Sequence, residues 1–162
     1  MKTVPRRRGR RAGQRLLRVV RRLREVPAAE RRLLVSALGV LFTMRVALWI
    51  TSTPWLLRSV LGRSSRPADR APDVPAEQVG LAVRRASRVV PFATCLPQAL
   101  AVVWMLARRG HTGALRIGVK RGTAGELVAH AWVEHENRII IGGRGVKQYA
   151  VLPSIEGALW LR

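Results

Sequence analysis

From Glu77 to Ile141 the spacing of apolar residues changes period once and does not change back. Val79, Val83, Ala86 and Val90 recur at helical intervals, and Pro91 stops that pattern. Cys95 to Arg109 is a second helical stretch, apolar through Leu100, Val103, Trp104 and Leu106, with Gly110 supplying its stop. Three short segments rich in Val, Ile or Trp follow, Leu115–Lys120, Leu127–Glu134 and Arg138–Ile141, and these read as strands. Glu136–Asn137 between the last two is the composition of a tight hairpin turn. Helix, helix, strand, strand, strand is the order of an α+β unit in which helices pack on one face of a small antiparallel sheet.

Upstream of this unit, residues 63–76 (GRSSRPADRAPDVP) are rich in Pro, Ser, Arg and Asp and read as a linker. The expected organisation is a disordered basic tail at 1–13, a helical region at 14–62, the linker at 63–76 and a compact domain at 77–162. In the helical region, Leu33 to Ile50 is almost entirely apolar and about the length of a membrane span. Arg45 inside it costs a few kcal/mol in lipid, and Ser36, Gly39 and Thr43 weaken the run further. A buried or partner-facing helix is therefore expected, with Pro54 kinking or restarting it and Trp49 and Trp55 as core or interface anchors. Leu16, Val19, Val20 and Leu23 fall at helical spacing opposite Arg15, Arg18 and Arg22. Such a segment can lie on an anionic membrane, dock on an acidic partner, or stand as a solvated helix. No signal peptide is visible, because no apolar stretch with a small-residue cleavage site follows the basic start within the usual distance. The expected location is cytoplasmic, with peripheral membrane contact left open.

The chain carries 30 Lys+Arg against 9 Asp+Glu, a formal charge of +21. That balance favours acidic partners. Nucleic acid is not expected among them, since interleaved aromatics and a recognisable nucleic-acid motif are both missing. No Gly-x-x-x-x-Gly-Lys pattern exists, so Gly118, Gly142 and Gly143 read as backbone devices rather than a phosphate loop. One cysteine excludes an intrachain disulfide and a cysteine zinc cluster, and with no paired histidines a metal site is not expected either. No cofactor is implied.

That lone cysteine, Cys95, falls in the first turn of the helix ending at Arg109. It faces unpaired backbone N–H groups and the positive end of the helix dipole, which stabilise negative charge on sulfur and could hold the oxyanion of a tetrahedral intermediate. By itself such a cysteine is more often packing. His130 lies on the strand Leu127–Glu134, where alternation puts His130, Trp132 and Glu134 on one face and Ala129, Ala131 and Val133 on the other. A cysteine opening a helix and a histidine on a later strand are the nucleophile and base of acyl-transfer chemistry, and a third group normally orients the histidine. By the same alternation His135 points away from His130, and His111 lies in the turn after the helix. Trp104 and Trp160 read as core, and Trp132 either as core or as a wall of the cleft, a candidate substrate contact.

The segments Thr94–Leu100, Leu106–Gly110, Leu115–Val119 and Ala129–Glu134 together resemble the lasso-peptide biosynthesis B2 proteins, transglutaminase-like leader peptidases also called microcin J25-processing proteins. The resemblance covers about residues 77–152. It implies a papain/transglutaminase-like core with a Cys–His–Asp triad and a cysteine peptidase that removes the leader from a ribosomally made precursor. It further implies a small leader-recognition (B1) protein and a lasso cyclase as partners. Cys95 and His130 match the first two triad positions. The third does not carry over: where the family's acid lies, this chain reads Ile141-Gly142-Gly143, with Gly142 at the acid's place, and Glu134 is the nearest carboxylate on the face of His130. A backbone carbonyl or a water is the alternative means of orienting His130. Hydrolysis and transfer of the acyl group to an amine are not separable at this level, and a non-catalytic basic adaptor at a membrane or nucleic acid is the rival reading.

Overall fold

The computed structural model describes residues 27–64, 69 and 71–153. The basic tail, the amphipathic segment around Leu16–Leu23 and Trp160 lie outside the described residues. The chain divides into two units, Met1–Leu33 and Leu34–Arg162; the second holds the whole sheet and every helix after the first.

The apolar run forms α1, Ala28–Ile50. Its side chains Ala37, Leu41 and Met44, spaced one turn apart, are buried in a single stripe. Thr51 closes the helix by turning both its N–H and its hydroxyl onto the carbonyl of Ala47. A second helix, α2, opens at Thr53 and runs to Ser64. Pro54 sits in its first turn, where a missing N–H costs nothing, so the proline restarts the helix rather than bending α1.

Three more apolar faces complete the core. α2 buries Leu56, Leu57, Val60 and Leu61, and α3 (Ala76–Ala86) buries Val79, Ala82, Val83 and Ala86. Both pack on α4 (Cys95–Ala107), whose residues from Ala99 to Ala107 are buried except Trp104. Full burial of a Val or Leu side chain is worth about 1.5–3 kcal/mol, so this central helix anchors the fold. α3 ends before the expected Val90 because Ser87 Oγ donates to the Arg84 carbonyl and the N–H groups of Arg88 and Val89 reach back only three residues. α4 ends before Arg109 in a Schellman motif: His111 N–H bonds to Leu106 O at 3.0 Å and Gly110 N–H to Ala107 O at 3.3 Å, with Gly110 at φ 77°.

The sheet is antiparallel throughout, in the order β3-β2-β1-β4. Its strands are β1 (Ala114–Arg121), β2 (Leu127–His135), β3 (Arg138–Ile141) and β4 (Ala150–Val151). β2 and β3 join through Glu136–Asn137, both at positive φ (46° and 61°), the geometry of a two-residue hairpin turn with right-handed strand twist. The register of β1 on β2 sets Gly118 opposite His130, Arg116 opposite Trp132 and Ala114 opposite Glu134. Around Gly113 the side chains of Leu106 and Val133 close in, so the Val133 face of β2 meets α4. β4 is absent from the sequence reading, because two residues carry no alternation. It pairs with Gly118 and Val119, and Leu152 N–H extends it onto Ile117 O. The result is an α+β architecture with helices against a four-stranded sheet.

Candidate active site

Cys95 is the first residue of α4, after Thr94 in an extended conformation that makes no side-chain cap. Pro97, in the same turn, has no N–H to offer. Among the described residues the backbone N–H groups of Cys95 and Leu96 meet no acceptor, and the first turn holds no acidic side chain. Two open donors and the positive helix end therefore stand beside a half-buried thiol. Gln98 braces the entry by donating from Nε2 to Ala93 O at 2.6 Å. The turn itself is strained: Phe92 is held at φ 57°, a conformation that bulky residues avoid, with Thr94 N–H bonded back to Phe92 O.

His130 lies on β2, the strand that packs on α4. Its Nε2 is 2.7 Å from the carbonyl oxygen of Gly142. A carbonyl only accepts, so Nε2 carries the proton and the neutral ring keeps its lone pair on Nδ1. Gly142 is suited to present that carbonyl, since it takes φ 81° and a Cβ there would lie 2.7 Å from Ala131 O and 2.8 Å from Trp132 Cβ. No hydrogen bond joins Cys95 to His130.

Glu134, the carboxylate on the face of His130, does not reach the imidazole. Its Oε1 accepts from Trp132 Nε1 at 2.8 Å and its Oε2 from Arg116 Nε at 3.1 Å. The Trp132 hydrogen bond, helped by Arg116 and opposed by desolvation, holds the carboxyl below its ordinary pKa. Trp132 is only 2% exposed, which leaves almost no surface for a substrate. It acts on the site from inside, its ring stacked at 6.2 Å from that of His130.

A model of the transglutaminase-like superfamily matches residues 38–154. The chain belongs to the transglutaminase-like superfamily. Cysteine peptidases and acyltransferases both occur in it. The match takes in most of α1, all of α2, residues 63–76 and the whole of the sheet. Comparisons with curated proteins and with solved structures returned no match.

The transglutaminase-like domain holds two further features that pattern reading missed. Tyr149, the single tyrosine, lies with its ring 5.2 Å from that of His130. Tyr149 and Trp132 crowd the Cα of Gly118, where a side chain would come within 2.8 Å of Tyr149 Cβ and 3.1 Å of the Trp132 ring. Only the absence of a side chain at 118 lets both rings approach His130. Beyond Tyr149 opens a groove of about 510 Å³ lined by Val119, Lys120, Arg121, Leu127, Gln148 and Ala150. Lys120 stands over the Tyr149 ring at 4.9 Å and bonds to Gln148. The tyrosine's rarity was its one signal in the sequence.

The other histidines are engaged elsewhere. His111 Nε2 donates to Val74 O at 2.7 Å, His135 Nδ1 donates to Thr112 O, and the two rings meet edge to face at 5.0 Å. Among the described residues no group of three or more His, Cys, Asp and Glu side chains is placed to hold a metal ion.

Proposed function

We propose that the protein is a cysteine peptidase that removes the leader from a lasso-peptide precursor. The observation that carries the reading is the Nε2–Gly142 hydrogen bond, which supplies what a triad acid supplies: one tautomer and one ring orientation. Nδ1 of His130 takes the Cys95 thiol proton. The thiolate attacks the scissile carbonyl carbon, and the oxyanion is held by the N–H groups of Cys95 and Leu96. Collapse breaks the C–N bond, the leaving amine takes the proton from Nδ1, and a thioester remains. Water, deprotonated by the same nitrogen, hydrolyses it. Sγ has to come within hydrogen-bond reach of Nδ1 for the first step. Lys120 and Arg121 along the groove suit acidic leader residues, in keeping with the overall charge. The sequence resemblance supplies the precursor, the small recognition protein and the cyclase as pathway partners.

One observation favours a second reading, a non-catalytic scaffold: Cys95 and His130 make no direct hydrogen bond. Mass spectrometry of a candidate precursor incubated with the protein and its small partner separates the two. Cleavage at one bond that vanishes with Cys95→Ala supports the peptidase. No cleavage by folded, partner-bound protein supports the scaffold. Recovery of an amine-linked product in place of the free acid would reassign the enzyme to acyl transfer.

A further inference from the structure

α1 has two apolar faces, and the second meets no partner among the described residues. Opposite the buried Ala37–Leu41–Met44 stripe stand Val35, Phe42 and Trp49, two turns apart from one another and 60%, 60% and 82% exposed. Ile50, the last residue of α1, and Trp55, in the first turn of α2, are largely exposed as well. α1 is long and apolar enough to cross a membrane, while on its other stripe Ala37, Leu41 and Met44 are buried within the protein. Arg45, on the flank of the exposed face, stands 5.7 Å above the ring of Phe92, itself 77% exposed.

We propose that this outer face of α1, continued by Trp55 and Phe92, docks in the plane of an anionic lipid surface. Charge selects the occupant. The protein carries +21, and the sequence preceding α1 is dominated by arginine. A second copy would bring the same charge to the same face, whereas anionic headgroups would neutralise it. An apolar helix face flanked by arginines, with tryptophans at its end, is the pattern of helices lying at the boundary of headgroups and acyl chains. Phe92 lies three residues before Cys95, so lipid at Phe92 would place the N-terminal end of α4 at the membrane surface. The inference does not depend on the peptidase reading, because its test needs no turnover.

The full chain would be sedimented with vesicles of phosphatidylcholine alone and of phosphatidylcholine mixed with phosphatidylglycerol, beside a Phe42→Ser/Trp49→Ser variant. Binding to the anionic vesicles is expected, with loss of at least about tenfold in affinity in the variant. Brominated acyl chains are expected to quench tryptophan fluorescence of the unaltered protein, which decides the question even if the variant fails to fold. Equal binding by a folded variant would mean charge alone acts and overturn the proposal, as would absence of quenching. A dimer in lipid-free buffer that the variant converts to monomer would assign the face to a second copy and overturn it too.

Discussion

His130 Nε2 and the carbonyl oxygen of Gly142 lie 2.7 Å apart, in a chain whose sequence offers no acid at that place. In the proposed mechanism the main chain at residue 142 takes the place of the acid of a Cys–His–Asp triad. A carbonyl fixes the tautomer and the ring plane but brings no full negative charge, so it orients the base without stabilising an imidazolium as strongly.

Restoring a side chain at 142 is therefore expected to harm the site. Gly142→Ala and Gly142→Asp both place a Cβ against Ala131 O and Trp132 at a φ of 81°. Each should lower stability by at least about 2 kcal/mol and neither should raise activity. Urea unfolding with a cleavage assay checks this, and a stable, faster Gly142→Asp enzyme would show that the carbonyl is a poor substitute rather than a built feature.

Cys95 is the only thiol, so its chemistry can be read directly. Cys95→Ala should abolish precursor cleavage while leaving the unfolding midpoint nearly unchanged, because the thiol sits at the half-buried mouth of α4 rather than in the core. His130→Gln should also abolish cleavage and should slow alkylation of Cys95 by iodoacetamide at neutral pH. Alkylation at an unchanged rate would separate the two residues functionally.

Trp132→Phe keeps a buried ring but removes the N–H that Glu134 Oε1 accepts. A loss of about 1–2 kcal/mol is expected, at the low end for a hydrogen bond to a charged group because Glu134 can recover some water. A neutral result in urea unfolding would show that Arg116 alone suffices to hold the carboxylate.

Acid should weaken the same cluster in a defined direction. The folded-state pKa of Glu134 is lowered, chiefly by Trp132, from an ordinary value of 4.5. Between the lowered and the ordinary value the unfolded chain binds more protons than the folded one. The stabilisation is thus complete above about pH 4.5 and is lost as pH falls through the folded value. Wild-type protein should lose stability below pH 4.5 more steeply than Glu134→Gln, measured by urea midpoints. Parallel curves would contradict the assignment.

If the groove receives acidic leader residues, Lys120→Glu should raise KM about tenfold with little change in kcat, since it alters binding away from the reacting atoms. An unchanged KM would move the leader's path off this face of the sheet.

The single change of hydrophobic period after Gly110, the punctuation at Pro54, Pro91 and Gly110, and the turn chemistry of Glu136–Asn137 are local, and local rules settle them. They determined the order of elements and the α+β class. They also placed Cys95 at a helix start and His130 on a strand face with Trp132 and Glu134. What orients His130 depends on groups that meet only through strand pairing and loop packing, so the sequence alone left Glu134 and a backbone carbonyl as rivals. The tertiary structure gave Glu134 to Trp132 and Arg116, and gave the imidazole to Gly142. β4 and the approach of Tyr149 likewise rest on contacts between distant segments. The apolar run shows the division most plainly: its composition marks a helix, but only packing decides that the Ala37–Leu41–Met44 stripe is covered by protein while Phe42 and Trp49 face outward. Periodicity is a property of neighbours in the chain, whereas a hydrogen-bond partner and a covered face belong to neighbours in space.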